Sequence, residues 1–244
     1  DGPPEYTIVA CVHGDETSGW EAVQKLKKSG IEIKKPLKII LANEKAFEAG
    51  ERFLDIDMNR VFPGNPESDR YEERVAAELV EEIEDMNFID LHSTASREAP
   101  FAIVEHPSDE QLEMLKSTGI EKAADMTHVG AKNPELEFVG VEVSEQLEDP
   151  AEDAFQVLKN FLAAEGVIDR EYERSDPELF EVYATEEGEG YEFLAKNFEK
   201  VEEGEIFARK PGDEKAADEA FYPVLMSTDG YDEIIGFKAK KRDI

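Results

Sequence analysis

Tyr6-Thr7-Ile8-Val9-Ala10-Cys11-Val12 runs directly into His13-Gly14-Asp15-Glu16, and the reading of residues 6–16 decides the fold. The apolar run reads as a buried strand of about the usual length. It stops at a glycine-containing loop that carries a histidine and a glutamate three residues apart. Both are metal-ligand types, presented where a strand ends. Two ligands from one loop leave an open metal site incomplete, so a third must come from elsewhere in the chain.

Outward from this stretch, strand and helix patterns alternate. Ser18 with Glu21 reads as a capping box opening a helix that ends near Ser29-Gly30. A strand over 37–41, a short helical piece over 46–49 and an irregular loop over 50–66 follow, the last punctuated by Gly50, Pro63, Gly64 and Pro66. Loops of that length in a compact domain tend to be functional. A helix is expected over 68–82 with Val75, Leu79 and Ile83 on its buried face, then a strand over 87–91, a loop from His92 to Pro100 and a strand over 101–104. Ser108 with Gln111 starts another helix, and residues 138–143 another strand. Asp149-Pro150 opens a helix with Ala151, Ala154, Phe155, Leu158, Phe161 and Leu162 at helical spacing.

This alternation predicts an α/β fold, a largely parallel sheet with helices on both faces. Ligands gather at the carboxyl ends of such strands. His13, Glu16, His92 and Glu142, all at or near expected strand ends, can therefore converge. After residue 170 the pattern changes to short runs, at 180–185, 205–208 and 221–226, between glycine-rich acidic turns. The expected organisation is an α/β catalytic domain over 1–169 and a small β domain over 170–244 that packs against the mouth of the sheet, since so small a module has only a modest core.

The 244 residues carry 27 Lys+Arg against 59 Asp+Glu, a net charge of −32. Nucleic acid and anionic membranes bind clustered basic residues, so both are excluded as partners. The acidic residues are spread over nearly every element, which reads as the solvated coat of a protein from a salt-loving organism; a merely acidic mesophilic protein is the alternative. No run reaches the roughly 18 apolar residues of a membrane helix. The few residues ahead of the first strand carry no signal-peptide pattern, although one removed earlier is compatible with the sequence. Cys11, the single cysteine, is expected to be a small buried hydrophobe, which suits a reducing cytoplasm.

Each candidate site residue has a plain structural alternative. A histidine and a glutamate three apart recur by chance, and His92 equally fits a hydrogen-bonded histidine at a strand end. Together the three form the two-histidine, one-glutamate set that leaves one position open on zinc. Zinc lowers the pKa of bound water and polarises a carbonyl, and a general base must then take the proton. Glu142, flanked by Val141 and Val143, is the candidate base; its alternative is a solvent-facing position on an edge strand. Loop 52–60 supplies Arg52, Asn59 and Arg60, and an arginine near zinc can hold a carboxylate or an oxyanion, or serve as an ordinary ion-pair partner in so acidic a chain. Asp57 would then be structural, orienting a ligand histidine.

The motifs HGDE at 13–16, RFLDIDMNRVFPG at 52–64, DLHST at 90–94, GVEV at 140–143 and YPVL at 222–225 resemble, in order and spacing over essentially the whole chain, the succinylglutamate desuccinylase/aspartoacylase family, relatives of the zinc carboxypeptidases. The resemblance implies a zinc-carboxypeptidase-like mixed sheet flanked by helices, and a zinc-dependent amidohydrolase that cleaves an N-acyl group from an amino acid. It implies one zinc ion on His13, Glu16 and His92, Glu142 as the base, and Arg52 polarising the scissile carbonyl. Asn59 and Arg60 would hold the substrate carboxylate, Tyr231 would reach in from the C-terminal region, and Asp57 would support the zinc site. The sequence departs from the pattern where aspartoacylases carry an arginine for a side-chain carboxylate: here it has Lys132, in a stretch that aligns poorly. His106 and His128 match no ligand position and are expected to be structural. A carboxypeptidase acting on short peptides and a non-catalytic metal-binding relative are the competing functions. A homo-oligomer is compatible with the sequence.

Overall fold

The computed structural model describes residues 4–83, 87–98, 100–129, 138–228 and 233–242. Among the described residues, five helices and two sheets account for the regular structure. In chain order the elements are β1 (Tyr6–Ala10), α1 (Ser18–Lys28), β2 (Leu37–Leu41), α2 (Glu44–Ala49), α3 (Tyr71–Ile83), β3 (Asn87–Thr94), β4 (Phe101–Val104), α4 (Asp109–Ser117), β5 (Lys122–Asp125), β6 (Phe138–Ser144) and α5 (Pro150–Ala164). There follow β7 (Glu178–Glu187), β8 (Glu192–Phe193), β9 (Ile206–Lys210), β10 (Asp213–Ala216), β11 (Tyr222–Val224) and β12 (Ile234–Arg242). A single 3-10 turn, Met58–Arg60, interrupts the long loop after α2.

The large sheet has nine strands in the order β11-β12-β7-β5-β4-β6-β3-β1-β2. Strands β2, β1, β3 and β6 run parallel, β4 is antiparallel to β6, and β5 and β7 continue parallel from β4. The fold is thus a mixed, mostly parallel sheet. Strand side chains alternate between faces with period two, and here the alternation separates the main core from a second face. Ile8, Ala10, Ile89, Leu91, Val139, Val141 and Val143 form the main core with Ala22, Val23 and Leu26 of α1 and Leu158, Phe161 and Leu162 of α5. The opposite face carries Val9 and Phe88, which pack on Ala76, Leu79 and Ile83 of α3. His92 and Glu142 lie on that second face, since each sits between core-facing neighbours on its strand.

Several boundaries differ from the sequence expectation. Thr17, not Ser18, is the N-cap of α1, and its side chain makes no capping bond. The Ser18 hydroxyl lies 2.7 Å from that of Ser93 instead, and the Thr17 hydroxyl donates to Glu21. Strand β3 continues through Thr94, so His92 belongs to the strand and not to the loop after it. The pairing His92↔Glu142 on β6 holds that extension in place. Strand β5 has the sequence KAAD, too short and too polar at its ends to be read as a strand. The expected starts of α4 and α5 agree with the structure: Ser108 accepts from the Gln111 amide and Asp149 from the Glu152 amide.

The β-rich stretch over 170–244 is divided between both sheets. Strands β7, β12 and β11 extend the large sheet, while β10, β9 and β8 form a three-stranded sheet of their own. Phe207, Phe221, Val201 and Tyr191 pack at the base of that small sheet. Asn197 links it to the loop after β3, donating to the Ser96 hydroxyl at 2.9 Å and exchanging two hydrogen bonds with the Met226 backbone.

Candidate metal centre

β1 ends at Ala10, and Cys11 follows with φ 58°, a left-handed conformation uncommon outside glycine. That reversal carries the chain into the His13–Glu16 turn, which closes through the Glu16 amide to the His13 carbonyl at 3.2 Å. Cys11 itself is fully buried, and burial pushes its thiol up to about 12, so it is an inert packing residue. Gly14 is required where it stands, because a Cβ there would overlap the backbone of Ala46 and Phe47 in α2. Its amide donates to the Arg52 carbonyl at 3.0 Å, tying the turn to the long loop.

Glu16 is the centre of the cluster. One carboxylate oxygen lies 2.8 Å from His13 Nδ1 and accepts from the Arg52 guanidinium at 2.7 Å. The other lies 2.9 Å from His92 Nδ1 and accepts from the Ser93 amide at 3.1 Å. Ligand atoms of His13, Glu16 and His92 all fall within 4.8 Å of one another. The far nitrogens are held as well: His13 Nε2 lies 3.1 Å from Asp57 Oδ1, and His92 Nε2 lies 2.7 Å from Asp90 Oδ2.

This donor set fits a metal ion. An ionised carboxylate only accepts, so Asp57 and Asp90 fix a proton on each Nε2. In neutral rings the two Nδ1 lone pairs then point at the Glu16 carboxylate, an arrangement of acceptors facing acceptors that needs a cation between them. Histidine ligands oriented from behind by carboxylates are the recurring form of such sites. Protonation supplies the cation when metal is absent. Burial opposes charge on His92, but Asp90 and Glu16 outweigh it and hold the ring well above its ordinary value. The same contest, with Asp57 and Glu16, raises His13, while the two histidines hold Glu16 well below the usual carboxylate range despite its burial. Asp90 Oδ1 is buried without a hydrogen-bond partner among the described residues, a further uncompensated acceptor beside the cluster.

A cavity of about 400 Å³ opens over this cluster, lined also by Glu142, Arg52, Asn59 and Arg60. Its volume lies in the range of small-molecule sites. Burial pushes the Glu142 carboxyl up to about 7; the His92 and His13 charges oppose this and the Glu16 and Asp90 charges add to it. Glu145 reaches the same cavity, and its carboxyl is raised by burial and by Glu16 and Asp15.

The loop that supplies Arg52, Asp57, Asn59 and Arg60 is pinned by a residue the sequence reading passed over. Glu72, in the first turn of α3, is fully buried and accepts from the amides of Leu54, Asp55 and Ile56 at 2.6, 3.0 and 3.2 Å. In return Asp55 accepts from the Tyr71 amide at 2.7 Å. Asp57 also accepts from the Asn59 amide at 2.9 Å, which starts the 3-10 turn. Asp90 was missed too, although its spacing of two from His92 on a strand places both on one face. His128 is exposed and pairs with Glu181 at 3.3 Å, and His106 bonds Thr127 through its backbone; neither joins the cluster. Tyr231 and Lys132 lie outside the described residues.

Residues 3–161 match the model of the succinylglutamate desuccinylase/aspartoacylase catalytic domain. The chain belongs to this family. It is 31% identical over 142 residues to the succinylglutamate desuccinylase of Pseudomonas paraeruginosa, an alignment covering 50% of this chain and 42% of that protein. The matched region thus spans less than half the length of that curated relative. Two solved structures share the fold over nearly the whole chain. Murine aminoacylase 3 superposes with a TM-score of 0.78 at 17% identity, covering 99% of this chain and 97% of that one. The product-bound ectoine utilization protein EutE (DoeB) from Ruegeria pomeroyi gives 0.78 at 19% identity, covering 99% and 86%. At such identities the likeness is one of fold.

Proposed function

We propose that this member of the family is a zinc-dependent amidohydrolase that removes an N-acyl group from an amino acid or similar small amide. The observation that carries this reading is the convergence of His13, Glu16 and His92 beneath a cavity that also holds Glu142. Bound there by those three side chains, zinc would supply a Lewis acid that acidifies water and polarises the substrate carbonyl.

The chain's own residues then have separable tasks. Glu142, with a carboxyl raised to about 7, is matched to accept a proton from the attacking water and pass it to the leaving nitrogen as the C–O bond forms and the C–N bond breaks. Arg52, about half exposed and anchored on Glu16, faces the cavity with a guanidinium suited to a developing oxyanion. Asn59 and Arg60 line the cavity and are assigned to the substrate carboxylate, the arginine as a planar fork. Asp57 orients His13. Tyr231 is assigned to substrate binding on its resemblance alone. The acidic surface excludes nucleic acid and anionic membranes as partners and is consistent with a salt-loving source. The buried lone Cys11 suits a cytoplasmic setting. Among the described residues no helix is long and apolar enough to cross a membrane.

The test is hydrolysis of N-acetyl and N-succinyl amino acids by zinc-loaded protein, with short peptides and the Glu142→Gln variant alongside. Release of free amino acid by the parent and not by the variant supports the reading. Cleavage of peptides alone would move the assignment to a carboxypeptidase, and no turnover with zinc bound would move it to a non-catalytic metal-binding protein.

A further inference from the structure

Two stretches of the cavity lining come from distant parts of the chain. Thr94 and Ala95 follow His92 at the end of β3, while Leu225 and Ser227 follow β11. One side chain joins these stretches. Asn197, 1% exposed, donates to the Ser96 hydroxyl at 2.9 Å and to Glu98 Oε2 at 3.2 Å. On its other side it accepts from the Met226 amide at 2.8 Å and donates to the Met226 carbonyl at 2.9 Å. Ser96 directly follows Ala95, and Met226 stands between the two lining residues of the C-terminal stretch.

The bridge is braced on both sides. Leu225 adopts φ 51°, and a Cβ on Gly236 would lie 2.6 Å from Met226 Cα, so the stretch lies tight against β12. The Ser227 amide also donates to the Ile235 carbonyl at 3.1 Å. Asn197 is itself anchored through Phe198, whose amide donates to the Pro223 carbonyl at 2.8 Å and whose ring meets those of Phe101 and Phe180 at 5.0 Å between centroids. Toward β3, the Ser96 hydroxyl donates to Glu98 at 2.8 Å and the Ser96 amide to the Thr94 hydroxyl at 3.2 Å. A carboxamide suits this place because Met226 offers both an N–H and a C=O, and a carboxamide answers both. Buried and paired on every polar atom, such a group stiffens what it joins.

Resting on the deacylase reading, we infer that Asn197 is a substrate-positioning residue, whose carboxamide fixes the Leu225–Ser227 lining against the end of the strand that carries His92. It acts on the substrate through those two stretches. The metal cluster has separate supports: Asp57 holds His13, Asp90 holds His92 and the Ser93 amide holds Glu16. Loss of the Asn197 carboxamide therefore lets the lining drift while the cluster keeps its shape. The signature is weakened substrate binding with zinc retained.

The experiment measures kcat, KM, zinc content and melting temperature for the zinc-loaded parent, Asn197→Ala, Ser96→Ala, the double variant and Tyr191→Phe. The substrate is whichever N-acetyl or N-succinyl amino acid the parent cleaves best. Asn197→Ala should raise KM by at least about tenfold and lower kcat by less, with zinc stoichiometry held. Ser96→Ala should raise KM by a smaller factor, and it serves if Asn197→Ala fails to fold. Combined with Asn197→Ala it should raise KM no further, because the shared contact is already gone. Tyr191→Phe removes the Tyr191–Asp213 hydrogen bond of the small sheet and should leave KM unchanged whatever it costs in melting temperature. Unchanged KM in the folded Asn197→Ala and Ser96→Ala proteins, loss of zinc from them, or an equal rise in Tyr191→Phe would overturn this inference alone. No hydrolysis of any panel member by the parent would sink the deacylase reading and this inference with it.

Discussion

Glu142 and His92 occupy paired positions on adjacent parallel strands, and both project from the sheet face opposite α1 and α5. That one register contact brings the candidate base beside the candidate metal cluster although 50 positions separate the two in sequence. The main core on the other face of the sheet fixes the register, because a one-residue slip of β6 would exchange Val141 and Val143 for Glu142 in that core.

Burial raises Glu142 above its unfolded value, so its protonated form is favoured in the folded state and its ionisation costs stability. The contribution is fully present below the ordinary glutamate pKa and is lost as pH rises through about 7. Glu142→Gln should therefore stabilise the metal-free protein at pH 8 by up to about 3 kcal/mol and change little at pH 4. Denaturant melts at the two pH values check this; equal shifts at both would contradict it.

As a base Glu142 must be ionised. In the metal-loaded protein, kcat of Glu142→Gln should drop by about 10²- to 10⁴-fold while zinc stoichiometry holds. Kinetics alongside elemental analysis separate the two; loss of zinc with activity would make Glu142 a ligand.

His92→Ala removes one of the three proposed ligands and should abolish stoichiometric zinc. Asp90→Asn keeps the ligand but weakens its orientation, and should cost about 10- to 100-fold in metal affinity. Competition with a fluorescent chelator measures both, and full zinc retention in His92→Ala would contradict the ligand set.

Glu72→Ala leaves three loop amides without their acceptor. It should destabilise the protein by about 2–4 kcal/mol and raise KM more than it lowers kcat, because Asn59 and Arg60 lose their support. An unchanged KM in folded variant would show that the loop holds its shape without Glu72.

At −32 the chain repels itself, and salt shortens the reach of that repulsion. The melting temperature should rise between 0.1 M and 2 M KCl. A flat or falling curve would contradict a salt-adapted surface.

The candidate site was legible in the sequence where a residue type and a strand end coincided, as at His13, Glu16 and Glu142. His92 was found while its setting was misread: Ser93 and Thr94 look like loop residues, and only pairing with β6 makes them strand. Glu72 could not be found, because a glutamate in a first helical turn is ordinary and its three amide partners lie up to 18 residues earlier in the chain. Ser18 and Glu21 matched a capping box by spacing, but the Ser18 hydroxyl has a tertiary partner in Ser93 that local pattern does not reveal. Strands β7, β9 and β11 were read as short β runs and β12 was not singled out, and nothing local showed that β7, β11 and β12 would join the large sheet, since edge pairing depends on what lies beside β5.

The most direct test of the metal-centre account is release of free amino acid from an N-acyl amino acid panel before chelation, after chelation and after zinc is restored. The account predicts that release stops on chelation and returns with about one equivalent of zinc per chain, the content of a single three-ligand site. Release that continues undiminished in the chelated protein, or none at any zinc loading, would contradict it.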